Sequence, residues 1–186
     1  KLLIALTDGD LDERSVLEVA ADSEHSALTT FSGWADDDSH DAARGAFEDA
    51  ADQEQRHLDL VVDELDGEYD PADGGPMHAY LRGREGTIER VAAGMVGRSL
   101  VSVRTHTQVI SFFVNEADEV RADLFRDLKT DTRGTLDAGL ELLDELCDDA
   151  EDWERAEMAA EYVIQVAYDD YVDALGELGV EPKSLC

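Results

Sequence analysis

From Asp12 almost to the end of the chain, apolar residues return every three or four positions, and no stretch shows the one-in-two alternation of a strand. Residues three and four apart share one face of a helix, so this spacing predicts amphipathic helices throughout. Between Asp12 and Asp38 the stripe is Leu17, Ala20, Ala27, Leu28, Phe31 and Ala35. The acidic run Asp36-Asp37-Asp38-Ser39 breaks it and caps the next helix. That second helix is predicted from about Asp41 to Leu65, with Ala43, Phe47, Ala50, Leu58, Val61 and Leu65 on one side. Two long helices joined by so short a turn should pack antiparallel.

The stretch Asp66–Met77 has two prolines, three glycines and no periodicity, which marks a connection long enough to cross between hairpins. A third helix is predicted from near Arg84 through Ile88, Val91, Met95, Val109, Phe112 and Phe113, with continuation through Val120, Leu124 and Leu128 left open. Thr130–Gly134 is the next turn signal. The remainder, Leu136 to Leu178, is helical in pattern with a break near Asp148–Asp152, and Gly179 and Pro182 close it. The expectation is one all-α domain over 1–186. Its parts are a first hairpin at 11–66, a crossover at 67–83, a longer second hairpin at 84–178 and a tail at 179–186.

Charge constrains the surroundings more than the fold. Forty-six Asp and Glu oppose fifteen Lys and Arg, a net charge of −31, and only Lys1, Lys129 and Lys183 are lysines. High charge with little apolar content would mean disorder, but 43% apolar residues in periodic runs argue for a packed core. A folded chain this acidic repels itself unless salt screens it, so a salt-rich, halophilic setting is expected. No basic stripe exists to neutralise phosphates, which weighs against a nucleic-acid partner. Apolar runs stay far below the ~20 residues a membrane helix needs, and Lys1–Leu6 is too short for a signal-peptide core. A cytoplasmic location is expected. Cys147 and Cys186 form no CxxC, so neither a disulfide framework nor a zinc site is expected, and Cys186 is read as a free thiol.

Chemistry is concentrated in Glu54-Gln55-Arg56-His57, the only Glu-x-x-His in the chain. Glu54 and His57 project from one side of their helix and fall within its apolar stripe. Glu24 interrupts the stripe of the first helix in the same way, and folding the hairpin at Ser39 sets position 24 opposite position 54. A buried carboxylate costs several kcal/mol unless it is paired, protonated or coordinated, so the three groups call for a cation. His106 is read as a polar core residue, and His25, His40 and His78 as exposed.

At these residues the chain resembles the ferritin-like superfamily, and rubrerythrins in particular. The resemblance covers Glu24, Glu54-x-x-His57 and the long crossover, about a third of the chain. It implies an up-down-down-up four-helix bundle, usually a homodimer, with Glu24, Glu54 and His57 as metal ligands. Iron or manganese would be the cofactor, and peroxide or oxygen the substrate. The second half departs from the pattern: the third helix offers Arg98, Ser99 and Ser102 where a Glu belongs, and no second Glu-x-x-His exists. Glu157 and Glu161 are the nearest candidates for the fourth helix, with Ile164 in place of the His. Two functions stay open. One is an iron- or manganese-binding protein of oxidative stress. The other is a metal-free scaffold acting as an interaction or regulatory module, with Arg98 as the buried counter-ion to Glu24 and Glu54; whether the chain is an enzyme is left undecided.

Overall fold

The computed structural model describes residues 1–182, and these contain helices and no strand. Cys186 and Lys183 lie outside the described residues. A single-turn helix, α1 (Leu2–Leu6), precedes two long ones, α2 (Glu13–Asp37) and α3 (Asp41–Asp63). The Asp12 side chain accepts from Ser15 N at 2.9 Å and fixes where α2 begins. The connection after α3 holds a short helix, α4 (Gly75–Arg82), with a proline in its first turn. Next comes one continuous rod: α5 (Thr87–Arg90), a π-helical stretch at Val91–Gly97, and α6 (Arg98–Asn115). Two further long helices end the chain, α7 (Glu119–Leu146) and α8 (Ala150–Glu177).

The second half differs from the sequence reading in three places. The third helix stops at Asn115, where Ala117 takes a left-handed φ of 59° and Asp118 caps α7 by accepting from Arg121 N at 3.0 Å. Thr130–Gly134 is therefore the middle of a helix. The hydroxyls of Thr130 and Thr132 bond back to the carbonyls of Arg126 and Leu128, each at 2.9 Å, so these residues sit in helical backbone without strain. The expected second hairpin over 84–178 is instead two helices, the rod and α7, followed by a fifth long helix. Asp149 starts that helix by accepting from Glu151 N and Asp152 N.

Contacts across the helices fix their directions. Going down α3, Gln53 meets Thr135, His57 meets Asp131 and Glu64 meets Arg121, so α3 and α7 run antiparallel. Going up α2, Glu24 meets His106 and Arg98, and Asp37 and Asp38 meet Arg90, so α2 and the rod also run antiparallel. α8 lies on the outside of the rod and covers it from the solvent side. This explains why every residue from Arg90 to Ser99 is buried: the stretch has neighbours all round.

Two apolar clusters divide the interior. One is built on Phe31, Trp34, Phe47, Met95, Leu142 and Val163, the other on Leu17, Val61, Val109, Phe113, Phe125 and Leu128. Each of the four enclosing helices changes from apolar to polar residues at the same height: Glu24 on α2, Glu54 and His57 on α3, Arg98, Ser102 and His106 on α6, and Thr132 and Thr135 on α7. The polar layer is thus sealed above and below by side chains.

Close packing of the rod depends on small residues. A Cβ at Gly94 would fall 2.5 Å from the Trp34 ring, and one at Gly97 would fall 2.3 Å from Val163 and 2.9 Å from the Ala160 carbonyl. Gly97→Ala is therefore expected to cost ~1–3 kcal/mol through overpacking against backbone. Gly134→Ala, on an open helical surface, should add about 0.5–1 kcal/mol. Urea unfolding of both variants at one salt concentration checks this, and a Gly97→Ala protein as stable as the parent would contradict the contact between the rod and α8.

Candidate functional site

Glu24, Glu54 and His57 each have at most 2% of their surface exposed, and one ligand-type atom from each lies within 4.8 Å of the other two. Helix phase alone brings this about: 54 and 57 are one turn apart on α3, and the antiparallel α2 presents 24 to them.

The rod supplies a cation to the same spot. Arg98 is 1% exposed; its Nη1 donates to Glu54 Oε1 at 2.8 Å, and its Nη2 donates to Glu54 Oε2 at 3.1 Å and to Glu24 Oε2 at 3.3 Å. This is a two-pronged guanidinium–carboxylate pair with a second carboxylate sharing one prong. The π-helical stretch ends at the residue before Arg98. An extra residue per turn shifts the phase of everything after it, and such turns recur at functional sites. Here the shift brings Arg98, Ser102, His106, Val109 and Phe113 onto the face toward α2 and α3.

Two histidines flank the cluster. His106 Nε2 lies 3.2 Å from Glu24 Oε1, so this residue is the polar core histidine expected of it. His57 Nε2 lies 3.3 Å from Asp131 Oδ2 of α7. Asp131 escapes a sequence reading because it falls in Thr130–Gly134, which reads as a turn. Burial pushes the His57 imidazole below its usual range, against the pull of Glu24 and Asp131, so the ring is neutral at pH 7.

The two glutamates are shifted in opposite directions. Burial, joined by the charge of Glu24, pushes the Glu54 carboxyl well above the ordinary range, although Arg98 pulls the other way. Burial opposes ionisation of Glu24 too, but hydrogen bonds from Glu54 and His106 and the attraction of His106 and Arg98 outweigh it and hold that carboxyl well below the ordinary range.

The remaining candidates lie elsewhere. Glu157 and Glu161 are exposed on α8, outside the enclosing helices, and cannot be fourth-helix ligands. The fourth helix of the core is α7 and not the end of the chain. His25 is half-buried and His40 exposed, but His78 is buried in α4 with neither ring nitrogen partnered. No periodic signal marks His78, since it lies in a stretch that reads as a loop.

A two-metal centre needs carboxylate or imidazole donors from all four helices. The rod gives Arg98 and His106 at that level, and α7 gives inward-facing Thr132 and Thr135 and a half-exposed Asp131 turned toward His57. These residues do not fit a two-metal centre. A single ion is the most that Glu24, Glu54 and His57 could hold, and it would sit beside a guanidinium. Unit charges at ~4 Å repel by about 4 kcal/mol at an effective dielectric of about 20, and a divalent ion doubles that. No family model matches the chain, and no curated protein or solved structure matches it.

Removing Arg98 leaves Glu24 and Glu54 buried without their guanidinium, so Arg98→Ala is expected to cost ~3–5 kcal/mol at pH 7, with the loss shrinking as pH falls and the stranded acids take up protons. The glutamates should respond with opposite signs. Glu24, whose carboxyl is depressed by folding, contributes stability above its ordinary 4.5 that is lost as pH falls, so Glu24→Gln should destabilise most at neutral pH. Glu54, whose carboxyl is raised by folding, contributes stability below its ordinary 4.5 that is lost as pH rises, so Glu54→Gln should gain on the parent as pH climbs from about 4.5. Denaturant unfolding of the variants across pH 4 to 8 (about two units either side of pH 6) reads both slopes, and parallel slopes would contradict the opposite shifts of the two carboxyls.

Proposed function

We propose that the chain is a ferritin-like bundle in which an internal guanidinium fills the cation role of a metal, and that it works as a non-enzymatic interaction or regulatory module. The observation that carries this reading is the position of Arg98, which donates to both Glu24 and Glu54 in the sealed interior. The directions of the helices support the fold assignment. α3 and α7 are antiparallel, α2 and the rod are antiparallel, and a long connection separates the two halves, as an up-down-down-up order requires. Such a module would act as a homodimer in the cytoplasm. The exposed Met158 and Tyr162, one turn apart on α8, offer it an apolar contact surface. No helix among the described residues is long and apolar enough to cross a membrane.

One observation favours the other reading, a rubrerythrin-like site for one iron or manganese ion acting on peroxide or oxygen. His57 Nδ1 is buried without a partner, while Asp131 holds the opposite ring nitrogen, which is how carboxylates orient metal-binding imidazoles. Arg98 would then have to leave the glutamates when the ion enters.

Metal analysis separates the two. The protein is purified without chelator and then exposed anaerobically to ferrous iron or manganese. The Arg98 reading expects below ~0.1 equivalent bound and no rise in Tm, since a native-state ligand at ~100-fold its Kd adds about 2.7 kcal/mol. A stoichiometric ion with a raised Tm that Glu54→Gln abolishes would establish the metal reading instead.

A further inference from the structure

The face of α6 turned away from the buried cluster borders an open groove. Arg98, Ser102 and His106 are buried toward α2 and α3. Leu100, Arg104 and Gln108, each two residues further on, therefore take the opposite side of the helix. With α1 and α8 they enclose about 480 Å³. α8 runs parallel to the rod here: Glu89 lies 4.0 Å from Arg155, and Gly97 packs on Ala160 and Val163. Leu100 is thus level with Ile164, and Arg104 and Gln108 are level with Tyr168 and Tyr171. The two ends of the groove differ. Leu100 and Ile164, 44% and 38% exposed, make one end apolar. The Arg104 guanidinium and the Gln108 amide make the other end polar, and the Tyr168 and Tyr171 rings flank it, 6.0 Å apart.

Charge sets this groove apart from the rest of the surface. Acids make up 46 of the 186 residues, yet none of the residues lining the groove is acidic, and two of them are cations. The Lys1 ammonium is tied to the Glu181 carbonyl. Arg104 is exposed and makes neither an ion pair nor a hydrogen bond among the described residues, although acids outnumber basic residues about threefold in the chain. We propose that the groove binds a free medium-chain fatty acid, with its alkyl chain along Leu100 and Ile164 and its carboxylate on Arg104. A guanidinium takes a carboxylate on two parallel N–H groups, and the Gln108 amide can donate a third. The dimensions agree. Leu100 to Gln108 spans about 12 Å at ~1.5 Å per residue, and the volume falls within the ~300–1,000 Å³ of small-molecule sites. A second copy of the chain is the less favoured occupant, because it would bring another −31 charge against this face. The site lies outside the Glu24–Glu54 cluster and does not depend on whether that cluster takes a metal.

Isothermal titration calorimetry of the full chain at one fixed, high potassium chloride concentration tests the proposal with octanoate, hexanoate and octylamine. Octanoate should saturate one site with Kd below ~1 mM. Hexanoate should bind about fifteenfold more weakly, since each buried CH₂ is worth about fourfold. Octylamine, equal in length and opposite in charge, should bind at least about tenfold more weakly than octanoate. Arg104→Gln should weaken octanoate about tenfold, while Arg133→Gln, the same change of charge on the exposed face of α7, should leave it unchanged. Both positions are on the surface, so both variants should fold. No saturable binding of octanoate up to about 10 mM, octylamine binding as tightly as octanoate, or equal effects of Arg104→Gln and Arg133→Gln would overturn the proposal. A dimer in sedimentation equilibrium that Leu100→Asp dissociates would assign the groove to a second copy and overturn it as well.

Discussion

A guanidinium held between two carboxylates in a sealed interior dictates most of what surrounds it. Arg98, Glu24 and Glu54 cannot be hydrated where they lie, because the Phe31–Trp34–Phe47 cluster closes one side and the Phe113–Phe125 cluster the other. Their desolvation has to be offset by contact with one another, which is why the geometry is two-pronged. The same requirement accounts for the placement of His106 against Glu24, and for a π-helical turn that ends one residue before Arg98. Replacing such a cluster by well-packed apolar residues is often neutral or stabilising, so its retention points to specificity or function more than to stability.

Surface and interior carry charge under different rules. On the outside, pairs such as Arg14–Glu18 and Arg155–Asp152 are exposed and spaced three or four residues apart along one helix, where each contributes a few tenths of a kcal/mol. They leave most of the −31 charge unbalanced, and screening by salt does the rest. Where helices must be held together at their ends, arginine is used in clusters. Arg90 joins α5 to Asp37 and Asp38 at the end of α2, and Arg121 joins α7 to Glu13 and Glu64 at the other end. With so few basic residues in the chain, Arg90, Arg98 and Arg121 occupy the positions where a charge bridges distant segments.

The first hairpin was legible in the sequence because its signals are local. An acidic break at 36–38 and a clean three-four stripe give both helices to within a residue or two, and the phase of that stripe turns Glu24, Glu54 and His57 inward. Arg98 was legible as a counter-ion for the same reason, as the one charged residue where the third helix should carry an acid. The second half was not, since its turn at Glu116–Asp118 contains neither Gly nor Pro, while Thr130–Gly134 carries turn-like residues inside a helix. Threonines that bond their own i−4 carbonyls look like breakers in a sequence and are harmless in a helix. Without the true turn, the fourth helix of the core falls on the wrong segment, and its candidate ligands become Glu157 and Glu161 while Asp131 goes unnoticed. His78 could not be placed because nothing local says that a proline- and glycine-rich connection will fold back against the core.

Whether the interior cation is a side chain or an ion is the question on which the functional reading turns. A crystal grown in salt and soaked in manganese, with diffraction recorded for anomalous scattering, addresses it at the atoms concerned. Guanidinium density should bridge Glu24 and Glu54, with no anomalous peak near either. An anomalous peak within coordination distance of Glu24, Glu54 and His57, with the Arg98 side chain turned away, would contradict the internal counter-ion.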